Sequence, residues 1–527
     1  MRRSLRAACA LMAAGGLLAG CTDSAAREGD AQANAEPAAQ VAAPRSSTVL
    51  SGRTEMELGL EASQAVWTAS PVVVTVADLN ALQEATSKSR ELGVPVLVVP
   101  QAGAGASGPD AEASDPELLD ASESPSEPAT SPSGDGGSSV VDAELERLGT
   151  THVLHVGPGQ PDVRGVEVVA MAQDLPDFEA AVPVAGLVAM TSPRATPEGS
   201  QAAVATLAAA GAESLDLKRA DPRVKPADVR AVAAAAPEVA IGIGRRFGGS
   251  DVFSQRVQAA ATGVQLPGGG QTIFHDKRYV ALYGHPLTGG LGVLGEQGPA
   301  ATVDRARSVA AQYEGLTGET IVPAFEIIAT VAAGSAGEDR DWSREWAIED
   351  LRPLVDVAAE AGIYVVLDLQ SGRADFLSQA QEYEELLVEP HVGLALDPEW
   401  RLKKGEKPLQ QIGSVSAAEV NETMDWLAEL TDRNDLPQKM LLLHQFRTDM
   451  ITDRQDLDLS HDELAVIVQM DGDGTLGQKL DTWGALRVDA PAGLKFGWKN
   501  FYDEDEPTPS PATTFRVDPT PWWVSYQ

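Results

Sequence analysis

Short apolar runs alternate with amphipathic stretches of helical period along most of the chain, from about residue 65 onward. The run Pro71–Val76 predicts a buried strand, Asp78–Leu92 a helix stopped by Gly93, and Val94–Val99 a second strand. A strand–helix–strand unit of this kind implies parallel pairing through a crossover. Further on, the pattern predicts a helix at Val141–Leu148, strands at His152–Val156 and Gly186–Thr191, and a helix at Glu198–Ala210. A short strand at Leu215–Leu217, a helix at Pro226–Ala236 and a strand at Val239–Ile243 complete the set. Residues 63–249 therefore read as an α/β layer domain built on a mainly parallel sheet.

From Lys277 the same rhythm becomes regular. Strands are expected at Arg278–Tyr283, Thr320–Ile328, Ile363–Leu369, Val392–Leu396, Lys439–Phe446, Leu464–Met470, Leu494–Lys499 and Trp522–Tyr526, with amphipathic helices between most of them. Eight strands at this spacing over about 250 residues predict a (β/α)8 TIM-like barrel across 250–527, with a doubly wound open sheet as the rival. The chain stops at Gln527, directly after the eighth strand, so the barrel is expected to lack its last helix. Asp251–Thr262 is expected to cover that gap.

Two stretches break the pattern. Residues 22–60 are rich in Ala, Ser, Gln, Glu and Pro, and residues 21–62 read as a flexible tether. Residues 101–140 read as a disordered acidic insertion, with nine acids and no Lys or Arg between Ser107 and Asp142. Ahead of the tether, Arg2, Arg3 and Arg6 precede an apolar run from Ala7 to Ala19 that ends in Leu18-Ala19-Gly20-Cys21. The run is too short to span a bilayer comfortably. It resembles the lipobox of bacterial lipoproteins. The resemblance implies cleavage of a signal peptide, residues 1–20, and lipidation of Cys21. It also implies an extracytoplasmic chain anchored through that lipid to the bacterial cell membrane. Cys9 is then discarded, and the rest of the chain has no thiol for a disulfide, zinc site or nucleophile.

Leu92-Gly93-Val94-Pro95-Val96-Leu97-Val98, followed by Glu144-Leu145-Glu146-Arg147-Leu148-Gly149 and a strand ending at Gly157, resembles the cell wall-binding repeat type 2 family. Tyr283-Gly284-His285-Pro286, His444-Gln445-Phe446 and Trp498-Lys499-Asn500-Phe501 resemble a group of uncharacterised bacterial lipoproteins. The first likeness implies an α/β repeat fold with wall attachment; the second brings no activity.

The formal net charge of −37 becomes −40 once residues 1–20, with three arginines and no acid, are removed. Such acidity argues against nucleic acid as a partner, because phosphate recognition needs a basic surface. It also argues against charge-driven docking on anionic lipid.

In barrels of this class the chemistry sits at the C-terminal ends of the strands. Glu326, Asp368, Asp397 and Glu399 fall there and are the candidate catalytic carboxylates. His285, Gln370, His444, Gln445, Asp471, Trp498, Lys499, Asn500 and Tyr526 are the candidate substrate contacts. Paired carboxylates beside aromatic and amide side chains suit glycoside cleavage, where one acid protonates and another attacks or activates water. The leading expectation is thus a glycoside-hydrolase-like barrel acting on or binding envelope polysaccharide. The alternatives are a non-catalytic wall-binding lipoprotein and a metal-dependent hydrolase using His285, His444 and Asp471. No cofactor and no resident metal are called for.

Overall fold

The computed structural model describes residues 37–101 and 136–527. The expected signal peptide, Cys21, the first part of the expected tether and most of the expected acidic insertion lie outside the described residues. The described residues begin inside the expected tether. Thr48–Leu50 is a strand, and Glu55–Val66 is a helix whose start is fixed by a reciprocal cap between Thr54 and Glu57.

The amino-terminal half holds two four-stranded parallel sheets rather than one. The first runs, in spatial order, Val96–Val98, Val72–Val76, His152–Val156, Glu167–Val169. The second runs Thr48–Leu50, Val239–Ile243, Leu187–Thr191, Glu213–Asp216. Helices Glu55–Val66 and Gln201–Ala209 lie between them. Leu58, Ala62, Ala203 and Leu207 share one buried cluster with Val73 and Val153 of the first sheet and Ala189 and Ile241 of the second. A helix that is apolar all round, as Gln201–Ala209 is, needs a partner on each side. Its alanines permit the approach: a Cβ at Gly59 of the neighbouring helix would stand 3.2 Å from Ala202 Cβ.

The carboxy-terminal half is a closed barrel of eight parallel strands: Lys277–Gly284, Thr320–Ala332, Tyr364–Leu369, Val392–Leu396, Lys439–Gln445, Leu464–Met470, Lys495–Asn500 and Trp523–Tyr526. The first strand pairs with both the second and the eighth, which closes the ring and removes the open-sheet alternative. Helices Pro299–Ala311, Ile348–Ala361, Ala417–Arg433 and Leu476–Arg487 stand outside it, with two shorter ones, Phe376–Glu382 and Glu384–Leu387, after strand three.

The helix before the barrel does not fill the place of a last helix. Ser250–Ala261 packs Phe253, Val257 and Ala260 against Val188, Met190 and Ala240 of the second amino-terminal sheet. Its apolar stripe finds its partner there, and its polar side meets the barrel floor. Arg256 donates to Asp462 at 2.6 Å, and Arg223, buried nearby, contacts both Asp221 (2.8 Å) and Asp462 (2.7 Å).

Successive side chains of a strand face opposite ways. One set forms the outer cluster under the helices, with Leu282, Phe325, Leu367, Leu396, Leu443, Val468, Trp498 and Tyr526. The other fills the lower interior with Tyr279, Ala324, Tyr364, Val366, Met440, Leu442, Ile467 and Trp523, stoppered by Ile273.

Candidate functional site

The inward set changes character near the carboxyl ends of the strands. Two residues above Ala281, Ala324, Val366, Ala395, Leu442 and Ile467 stand Tyr283, Glu326, Asp368, Asp397, His444 and Gln469. Strand seven adds Lys499 above Gly497, and Asp471 follows Gln469. The period of two therefore brings residues more than 200 positions apart, Tyr283 and Lys499, onto one polar floor.

His444 is the hub and is fully buried. Its Nε2 stands 2.7 Å from Glu326 Oε1 and 3.6 Å from Asp368 Oδ1, and its Nδ1 is 2.8 Å from Asp471 Oδ2. The contact with Glu326 has the distance of an ion pair without the angle of a hydrogen bond. Lys499 Nζ lies 3.0 Å from Asp471 Oδ1 and 3.7 Å above the centre of the Tyr283 ring. The Tyr283 hydroxyl donates to Asp368 at 2.9 Å and accepts from Gln370 Nε2 at 3.3 Å.

Burial opposes charge on His444, but Asp368, Glu326 and Asp471 together outweigh it and raise its pKa well above the ordinary value, so it is an imidazolium. Burial likewise pushes against Asp471, yet Lys499 and His444 hold its pKa below the usual range. Burial opposes the Lys499 charge too, and Asp471 and Glu326 more than restore it.

The neighbouring acids go the other way. Burial, with the charge of Glu326, raises Asp368 to about 6 against the pull of His444. Burial and Asp471 raise Glu399 to about 7. Asp397 is raised well above its ordinary value, first by burial and then by Asp368, Glu399 and Asp471 against the pull of His444. The floor thus sets Asp471, whose charged form is favoured, beside Asp397, whose neutral form is favoured, and a Glu399 raised to about 7.

Above the floor opens a pocket of about 260 Å³, lined by Tyr283, Gln370, Asp397, Glu399, Trp400, Phe446, Asp471, Asp473, Lys499, Phe501 and Gln527. Of the predicted residues, Gln370, Asp397, Glu399, Asp471 and Lys499 line it. Glu326, Asp368 and His444 lie sealed beneath it.

Besides the buried His444, five predicted contacts do not reach it. Trp498, Asn500, Gln445 and Tyr526 have the opposite parity and point outward. Trp498 Nε1 donates to Asn500, Asn500 donates to Thr514, Gln445 is bound by Arg454, and the Tyr526 hydroxyl bonds that of Tyr313. His285 leaves the strand line at Gly284, whose φ of 142° turns the chain, and stacks on Trp346 at 4.0 Å between ring centres. Burial holds the His285 pKa down at about 4. Tyr283 and Gln527, with Trp400, Phe446, Asp473 and Phe501 from the loops, line the pocket without being among the predicted site residues, and the first two stand on strand lines. Parity marks both: each stands two positions beyond an inward residue, Ala281 and Ser525.

Among the described residues Asp397, His444 and Asp471 form the most enclosed metal-like group, with ligand atoms all within 4.8 Å of one another. Here both imidazole nitrogens already face carboxylates, and the Lys499 ammonium neutralises Asp471 as an ion would.

No protein-family model matches the chain, and no curated protein matches it. Comparison with solved structures finds the HpcH/HpaI aldolase from Desulfitobacterium hafniense DCB-2, at 13% identity. It covers 48% of this chain and 86% of that one, with a TM-score of 0.24.

The expectation of a glycoside-hydrolase-like barrel is corrected on the geometry of the site. The physical reason lies in the site. Glu326 and Asp368 converge on one imidazolium and are fully buried, so no sugar fits between them and they do not flank an open cleft. A pocket of about 260 Å³ also holds one small molecule rather than a length of polymer. The ligand set expected for a metal-dependent hydrolase, His285 with His444 and Asp471, does not assemble: His285 lies against Trp346, and Asp397 takes its place beside the other two.

Proposed function

We propose that the barrel is an acid–base enzyme that moves protons on one small polar molecule held in the 260 Å³ pocket. The observation that carries this reading is the split among acids at the pocket wall. Three carboxyl groups meet there beside one ammonium: Lys499 and His444 favour the charged form of Asp471, burial favours the neutral form of Asp397, and burial with Asp471 raises Glu399 to about 7. Environments that push neighbouring carboxyl groups apart in this way assign acid and base roles, and a catalytic group works best with a pKa near the working pH. Glu399 gives and takes the proton. The Asp397 carboxylic acid and the Lys499 ammonium face the oxygen on which negative charge develops. His444 neutralises the acids beneath and keeps the floor from swelling with like charge.

Small polar compounds that raise the melting temperature of the wild-type chain identify ligands, and their turnover is followed by NMR. Glu399→Gln is expected to lower kcat by about 10²–10⁴, the usual worth of a positioned acid–base group, with a smaller effect on ligand affinity. Turnover that survives Glu399→Gln and Lys499→Met unchanged sinks the reading.

We also propose that Cys21 carries the membrane anchor, on the strength of the Leu18–Cys21 sequence and its basic and apolar approach. Among the described residues no helix is long and apolar enough to cross a membrane. Metabolic labelling with a fatty-acid analogue should mark the wild-type chain and not Cys21→Ser; equal labelling of both rejects the anchor.

A further inference from the structure

A second cavity, of about 470 Å³, opens on the same end of the barrel, in the loops that follow strands three and four. Its wall carries Arg373, Arg401, Lys403 and Lys404, with Ser414, Ser416 and Thr452 between them and Glu419 as the one carboxylate. In a chain with 77 acids and 40 bases, cations gathered round a cavity run against the composition.

Their partners do not account for them. Arg401 grips Glu419 with two nitrogens, at 2.7 and 3.2 Å. Arg373 donates from Nε and Nη2 to the carbonyl of Glu406 and makes no ion pair with a carboxylate among the described residues. Nor does any described carboxylate come within ion-pair distance of the Lys403 or Lys404 ammonium. One carboxylate therefore faces four positive charges. The Ser416 hydroxyl accepts from the Glu419 backbone N–H at 3.2 Å, which leaves its own proton free to donate.

The walls are built rather than draped. Leu402 N–H donates to the Gly372 carbonyl at 2.6 Å, Ser414 N–H to the Arg401 carbonyl at 3.0 Å, and Gly413 N–H to the Glu399 carbonyl at 2.7 Å. These bonds tie the two loops into one frame. Gly413 has no room for a side chain, since a Cβ would meet three carbonyl oxygens at 2.5–2.7 Å.

We propose that this cavity binds a phosphate-type oxyanion. Lys403, Lys404 and Arg373 supply charge, and the serine hydroxyls supply directed donors. The site is independent of the acid–base reading of the neighbouring pocket. Two sources of the ligand share this chemistry, a free phosphate or phosphate monoester and a phospholipid headgroup.

Inorganic phosphate is titrated calorimetrically into the full chain at low ionic strength. The same titration is run on Lys403→Gln/Lys404→Gln, whose exposed side chains leave the fold intact, and on Lys495→Gln, which removes a cation from the opposite end of the barrel. Wild type and Lys495→Gln should bind alike, and the double variant about 10-fold or more weaker, as expected for loss of charge-assisted contacts. No phosphate binding by wild type overturns the proposal, as does equal weakening by Lys495→Gln, which would reflect net charge alone. Flotation with phosphatidylglycerol vesicles separates the sources. Vesicle binding that phosphate displaces and the double variant lacks indicates a headgroup. Phosphate binding without vesicle binding indicates a soluble ligand, and vesicle binding indifferent to both rejects the site.

Discussion

Replacing Glu399 by Gln should make the barrel less sensitive to pH and more stable above neutrality. The folded state raises Glu399 from its ordinary 4.5 to about 7, chiefly through burial and then through Asp471. An acid with a raised folded pKa holds its proton more tightly when folded. Its stabilising contribution is therefore complete below pH 4.5 and is lost as pH rises through about 7. At 1.36 kcal/mol per pKa unit that interval corresponds to about 3 kcal/mol. Glu399 borders the pocket opening, and screening there reduces the figure to about 1–3 kcal/mol. Glutamine has the shape of the protonated acid and cannot ionise, so the variant escapes the loss. The assay is urea unfolding of both proteins across the range from pH 4.5 to about pH 8, with stabilities taken at matched m-values. The two should converge at the acid end, and the variant should be the more stable at the alkaline end. Parallel curves would refute the reasoning, because they would mean that Glu399 titrates at its ordinary value and that the charges beneath the pocket do not reach it.

Other consequences follow from single residues. His444→Gln leaves Glu326, Asp368 and Asp471 without their shared cation, and should cost about 3–5 kcal/mol in urea unfolding; a loss under 1 kcal/mol contradicts an imidazolium hub. Gly393→Ala drives a Cβ to 2.6 Å from the Met440 carbonyl and 2.8 Å from the Tyr364 hydroxyl and should cost about 1–3 kcal/mol. Gly484→Ala, on a helix with nothing within 4 Å, should instead gain about 0.5–1 kcal/mol. Asp462→Asn takes from Arg223 and Arg256 their shared partner across the base of the barrel, so calorimetry should separate the unfolding of the two halves more widely than in wild type; identical traces for the two proteins argue against this brace. Deleting Trp523–Tyr526 removes the strand that closes the ring and should abolish cooperative unfolding of the barrel; retained cooperativity means that closure does not depend on it.

All eight barrel strands were legible to within a few residues, because each is an apolar run buried on both faces and bounded by polar or glycine residues. The polar floor was legible for the same reason: Glu326, Asp368, Asp397 and His444 interrupt runs that need no polar group. Parity within a strand was also there to be read. Applied strictly, it keeps Tyr283 and Lys499 and sets aside Trp498, Asn500 and Tyr526. Sheet membership was harder. Thr48–Leu50 lies in a stretch whose composition suits a tether, and it becomes a strand only because Val239–Ile243 offers it an edge.

Local pattern thus determined where most strands and helices form and which side chains share a face, since these depend on periodicity and neighbouring residues. What each face meets was decided by tertiary structure. Ser250–Ala261 is equally amphipathic whether it covers a barrel or a sheet, and only the packing of Phe253 and Val257 chose the sheet. The chemistry depended on the fold in the same way. Acids spaced along a sequence carry no information about mutual distance, and a cleft-flanking pair and a pair closed on one histidine look alike. Closure of the ring brought Glu326, Asp368 and Asp471 against His444, took them out of water, and so set which acids hold a proton and which do not.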